Sequence, residues 1–307
     1  GWGRRPRLGR CARLGSAPAA GVGARGWGRR PRLGSAPAAK RPVCRVGKSQ
    51  GEGGGGTVTR TRRLLSFLAA LAVGLALPSF LLLVDVEAVA YDMPAYRESF
   101  AQAGAPAATG FSLEQLDWTM RRTLDYATGR RADLQFDRAD VDGGPPGRPA
   151  FSRIEIDHMA DVRSLFGLAT TCRRVALFVI ALGGLAVILV ERRQGLARLG
   201  RGLGQGAAAF LGAGALLAAA MLTGFSSFWT AFHETLFTND LWLLPADSLL
   251  IQMLPESLFQ RLALEIVGLL AVELVALLGL SVYLRRAQTR SGVRGRRAPS
   301  AGGGQLG

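Results

Sequence analysis

The sequence predicts an all-α membrane protein with four transmembrane helices. Three observations predict it. Apolar residues gather in four runs of about 16 to 23 residues, the length a bilayer's hydrocarbon core requires, instead of being spread as in soluble domains. The segments between the runs alternate in charge. The two histidines of the 307-residue chain, His158 and His233, both lie in acidic segments beside a run.

Residues 1–63 hold sixteen Arg and Lys against one acid, Glu52. That tail supplies nearly all of the formal net charge of +16, so the basic balance describes the tail and not the body. No nucleic-acid partner is expected. GWGRRPRLG at 1–9 recurs at 26–34, and RLGSAPAA at 13–20 recurs at 32–39. Arg, Gly, Pro and Ala in these proportions cannot bury a core, which predicts a disordered basic tail. An arm for acidic lipid or nucleic acid is one reading; the favoured one is a misassigned start or a stretch with no function. Cys11, Cys44 and Cys172 are scattered, with neither a disulfide framework nor zinc-knuckle spacing.

The first run, 64–84, follows Arg60, Arg62 and Arg63. It exceeds the apolar length of a signal peptide and reads as a retained anchor helix. Residues 85–171 are acidic, with fourteen Asp and Glu against nine Arg. They predict a mostly helical extracytoplasmic segment. Its clearest helix is 113–128, with capping-box spacing at Ser112 and Gln115 and Gly129 suited to the C′ position. Residues 130–150, with a Gly-Gly-Pro-Pro stretch, predict a loop or short hairpin. From Asp157, apolar positions Met159, Val162, Phe166 and Ala169 recur at helical spacing and lead into the second run, 175–190.

The linker 191–206 is basic, and the third run, 207–225, is rich in Gly and Ala, which permit close helix contact in a bilayer. Residues 226–261 return to the acidic side. Their aromatic residues predict a re-entrant or interfacial motif between the third and fourth spans. The fourth run, 262–284, is followed by Arg285, Arg286 and a basic tail to 307, also expected to be disordered. The predicted domains are thus a tail at 1–63, a four-helix membrane domain at 64–284 and a tail at 285–307. By the positive-inside rule both termini and the linker are cytoplasmic, and 85–171 and 226–261 are extracytoplasmic.

Both histidine segments therefore fall on one membrane face. A histidine has a useful protonation state near neutral pH for proton transfer. Asp161 is three residues beyond His158 on the expected helix, where its carboxylate could hold one ring nitrogen and leave the other as a base. A zinc site is the rival reading, needing Asp157, Asp161, Glu234 or Asp240 as further ligands, but no metal-binding spacing supports it and no metal is expected. No Gly-x-Ser-x-Gly elbow occurs, and no outer cysteine lies near a histidine. An enzyme built from these parts draws its nucleophile from the substrate or from water. Glu273 lies near the middle of the fourth run, where a carboxyl group either serves a function or makes a protonated interhelical hydrogen bond.

Two segments carry a resemblance. The first is His158-Met159-Ala160-Asp161-Val162, before the second run. The second is Phe232-His233-Glu234-Thr235-Leu236-Phe237-Thr238-Asn239-Asp240-Leu241-Trp242, then Pro245, Asp247, Leu250-Ile251 and Pro255. Together they resemble the four-span bacterial membrane-protein family that includes the lipoprotein intramolecular transacylase. Leu236 departs from that family's pattern, standing where a phenylalanine is usual. The resemblance spans roughly 64–284.

It implies an enzyme of the bacterial cell membrane, with membrane lipids around it and no cofactor. The implied substrate is a lipoprotein whose N-terminal cysteine carries a diacylglyceryl group. One acyl chain would move to that cysteine's α-amine, with His158 and His233 as acid, base and oxyanion stabiliser. Asp161 would orient His158, Asn239 would donate to the oxyanion, and Trp242 and Asp247 would support the site. The alternative is a non-enzymatic accessory or lipid-binding protein of the same family. A transporter is disfavoured, because four spans line a path only as an oligomer and Glu273 is the one deep ionisable group.

Overall fold

The computed structural model describes residues 55–296, with their side chains from 60 to 288. Among these residues the chain is helical, with one isolated bridge between Asp137 and Pro149 and no strand. Three stretches are long and apolar enough to cross a membrane: Arg60–Ala90, Arg153–Thr223 and Glu256–Gln288.

Helix α1, Gly55–Ala90, contains Pro78. Proline has no N–H, so the carbonyl of Gly74, four residues earlier, loses its helical donor. That carbonyl faces α7, Gly195–Thr223. A Cβ on Gly206 would lie 1.7 Å from the Gly74 oxygen, and one on Gly202 would lie 2.0 Å from the oxygen of Ala70. The two helices meet backbone to backbone, which only glycine allows. Since 202 meets 70 and 206 meets 74, α1 and α7 run in the same direction.

Helix α6, Arg153–Glu191, runs against α1: Gly183 lies beside Val73 and Ala69, Ser66 bonds Glu191, and Arg173 pairs with Glu87. The chain reverses through a 3-10 turn, Arg192–Gln194, where Arg192 takes a positive φ of 45°. Gly195 then packs on the backbone of Val187 and Ile188. The stretch Arg153–Thr223 is therefore a helical hairpin. Helix α10, Glu256–Arg296, runs against α7: Ser281 Oγ donates to the carbonyl of Gly200, and Gln260 donates to that of Met221.

Helices α2 (Met93–Gln102), α3 (Ala105–Thr109), α4 (Leu113–Ala127) and α5 (Ala139–Asp142) form a separate core at one end of the bundle. Phe100, Phe111, Leu116 and Phe151 are fully buried there. As expected, Ser112 and Gln115 form a complete capping box on α4, and Gly129 follows with φ 81°. Helix α9, Leu249–Met253, sends Leu249, Leu250 and Met253 into the same core. Helix α8, Phe225–Leu236, lies between α7 and α9 in the chain and carries His233.

Most of the two expected tails lies outside the described residues. Where described, they are helical, because α1 begins at Gly55 and α10 reaches Arg296. Both helices run past the expected boundaries at 63 and 285. The hydropathy of a run marks the segment suited to lipid, whereas Arg, Leu, Gln and Ala continue a helix well past it.

Candidate functional site

The first turn of α6 sets one side of the site. Ser152 caps it, accepting from the N–H of Glu155, while the Glu155 carboxylate accepts from Ser152 N–H at 2.7 Å. The second Glu155 oxygen accepts from Leu250 N–H at 2.9 Å, at the start of α9. Glu155 is 2% exposed. This one carboxylate thus satisfies orphan donors of two helices and fastens α6 to the segment that follows His233. Sequence reasoning passed over Glu155, although Ser152-x-x-Glu155 has the spacing already recognised at Ser112 and Gln115.

One turn beyond this clamp, His158 faces His233 of α8. Their ring centres are 6.2 Å apart. Phe237 touches both rings, at 5.3 Å from His158 and 5.6 Å from His233. Trp242 stacks on His233 at 5.0 Å, and Trp229 meets its edge at 4.4 Å. His233 Nδ1 lies 2.8 Å from the carbonyl oxygen of Trp229, one turn earlier. A carbonyl only accepts, so Nδ1 carries the proton and Nε2 presents the lone pair. The Nδ1 of His158 is buried and has no hydrogen-bond partner.

Both imidazoles are held below the ordinary histidine range. For His158 the causes are burial first and then repulsion from the His233 ring, partly offset by Asp161. For His233 burial lowers the value, and the Trp229 carbonyl partly offsets it. Apolar walls disfavour the imidazolium, so both rings are neutral near pH 7.

Asp161 does not hold His158, contrary to expectation. Its Oδ2 accepts from Asn239 Nδ2 at 2.9 Å, and Asn239 Oδ1 accepts from Leu241 N–H. The amide across the loop offers a directed donor, and it takes the carboxylate that i, i+3 spacing alone assigned to the ring. Asp161 reaches His158 through charge alone. Asn239 is correspondingly a brace of the loop between His233 and Trp242.

Asp247 stands apart: it is exposed before α9 and takes part in no hydrogen bond or ion pair. Glu273 is also apart. Phe259 stacks on Trp229, and Glu273 lies about 20 Å further along α10 at the helical rise. Its Oε2 is buried without a partner, so the interhelical hydrogen bond expected of it is not made by that oxygen. Among the described residues no group of three or more His, Cys, Asp or Glu could hold a metal.

Residues 71–259, which take in both histidines, match the family described as lipoprotein intramolecular transacylase Lit. The chain belongs to the Lit family. Solved structures share its fold. Lit from Bacillus cereus is 17% identical with a TM-score of 0.52, covering 78% of this chain and 100% of that one. A form of the same Bacillus cereus protein with a histidine-to-arginine substitution is 16% identical with a TM-score of 0.54, covering 76% and 96%. A form with a histidine-to-alanine substitution matches at 16% and 0.54, covering 76% and 98%. No curated protein matches the chain. Membership in Lit makes this chain a membrane protein of an acyltransferase family, and the apolar helices agree with that.

Proposed function

We propose that this protein moves an acyl chain within a bacterial lipoprotein, from the diacylglyceryl group on the N-terminal cysteine to that cysteine's α-amine. The observation that carries the reading is the pair of neutral imidazoles 6.2 Å apart in an aromatic-walled site. Membership in the Lit family supports it.

The amine attacks the ester carbonyl, so the protein supplies no nucleophile. As the N–C bond forms, His233 Nε2 accepts the amine proton, since its Nδ1 is committed to the Trp229 carbonyl. Neutral His158 carries one N–H and stabilises the oxyanion. Collapse breaks the ester C–O bond, and the His233 imidazolium returns its proton to the departing glycerol oxygen. The products are an amide and a free hydroxyl, the lyso form. Because amine and ester belong to one molecule, proximity supplies much of the rate.

In this reading α1, α6, α7 and α10 are four spans, with both termini cytoplasmic, and α8 lies at the outer interface. Phe228, Trp229 and Phe232 then face the headgroup boundary, where the diacylated substrate enters sideways. Removal of residues 1–56 is expected to leave the activity intact.

Mass spectrometry of lipoproteins from cells with and without the gene tests the activity. An N-acylated lyso form is expected only with the gene; its absence would refute the proposal. For orientation, Pro146→Cys and Arg193→Cys are placed in a chain whose native cysteines are serine. An impermeant thiol reagent is expected to label the first from outside and not the second, and the opposite result reverses the topology.

A further inference from the structure

A groove of about 560 Å³ runs between α1 and α6 at the end of the bundle away from the histidines. It lies near Val187, about 44 Å along α6 from His158 at the helical rise. Its walls are Leu65, Ala69, Ala186, Val187 and Val190, and Arg62 stands at its rim. Leu65 is 61% exposed, so the groove opens sideways to whatever surrounds the helices. In a membrane that surrounding is acyl chain.

The charge at this end of the bundle is one-sided. Glu191 is the single acid at this end among the described residues, and it is answered inside the bundle. Ser66 Oγ donates to it at 2.6 Å, and Arg198 pairs with it at 3.7 Å. Arg60, Arg192 and Arg193 are exposed and have no acidic partner. Arg62 donates to the carbonyl of Val190, which leaves its charge uncancelled and further N–H groups free to bond. An apolar slot beneath the Arg62 guanidinium, at a basic end of the bundle, fits a tail joined to an anion. The chain's own basic tail is a poor occupant, because like charge repels it from this rim.

We infer that the groove binds an anionic glycerophospholipid, with one acyl chain along Leu65, Ala186 and Val190 and the phosphate at the arginine rim. The lipid bridges α1 and α6 at this end. The site is separate from the acyl-transfer site and does not rest on the transacylase reading.

The full chain in mild detergent is titrated with phosphatidylglycerol or phosphatidylcholine of matched acyl chains, and native mass spectrometry counts bound lipid. Saturable binding of one phosphatidylglycerol is expected, with phosphatidylcholine weaker. Arg62→Gln should weaken phosphatidylglycerol about fivefold and leave phosphatidylcholine unchanged. Ala186→Trp, at an exposed wall position, fills the groove and keeps every charge; it should abolish the saturable binding. Equal binding of the two lipids by the unaltered chain overturns the inference. So does full phosphatidylglycerol binding by Ala186→Trp, which would make the attraction a matter of surface or tail charge.

Discussion

The ring of His158, on a helix that continues into the bilayer-length stretch, faces the ring of His233, on a short helix reached only after the chain has reversed and returned. Their centres are 6.2 Å apart. Neither segment makes a site by itself. The contact exists because α6 and α7 form a hairpin and Glu155 fastens the start of α6 to α9.

If the rings act together as proposed, either His158→Ala or His233→Ala should lower acyl transfer about 10²–10⁴-fold while the protein still inserts. The double variant should be hardly worse than the poorer single one, since groups acting as a unit are not additive. Transfer rates in membranes supplied with diacylated lipoprotein measure this. Full activity in either single variant would exclude the dyad.

Burial lowers both imidazoles, so the neutral base persists below the ordinary histidine value. Both rings should therefore titrate below about pH 6.5 when followed by NMR, whereas the acid limb of kcat/KM is set by the substrate's α-amine, which must be neutral to attack. Stability follows with the same sign. Unfolded histidines take up protons near pH 6.5 and the folded ones resist, so this contribution is complete above that pH. It is lost as pH falls from there through the lowered folded values. Ring titrations above pH 6.5 contradict the burial argument.

Asp161 is predicted to act on His158 through charge and on the loop through Asn239. Asp161→Asn keeps an acceptor for Asn239 but removes the charge that supports the imidazolium. In this variant the His158 ring should titrate at still lower pH, with kcat little changed. Asn239→Ala keeps the charge and frees the loop, and should cost about tenfold in rate, roughly one hydrogen bond, with the His158 titration unmoved. Identical His158 titrations in all three proteins would leave Asp161 no electrostatic role.

Gly206→Ala should destabilise the bundle by about 1–3 kcal/mol, because its Cβ would overlap the Gly74 carbonyl. Gly212→Ala, on the same helix with open space around it, is the control and should be neutral or slightly stabilising. Thermal unfolding in detergent compares them. Equal midpoints would mean that α1 and α7 separate at no cost.

By itself the sequence determined the helical class, the apolar runs, the α4 capping box and the two histidine motifs. These are local facts: run length, period and cap chemistry are written in adjacent residues. It also indicated that His158 and His233 share a face, because loop charge alternates. The tertiary structure alone decided what the rings touch. Asp161 was assigned to His158 on spacing, but a donor seventy-odd residues away, Asn239, takes its carboxylate. Asp247 looked like part of the motif and stands outside the site. Glu155, which sequence reasoning passed over, clamps two helices. A side chain's partner is chosen by direction and distance in space, and the hairpin that brings α8 back to α6 sets those quantities only once the whole chain is packed.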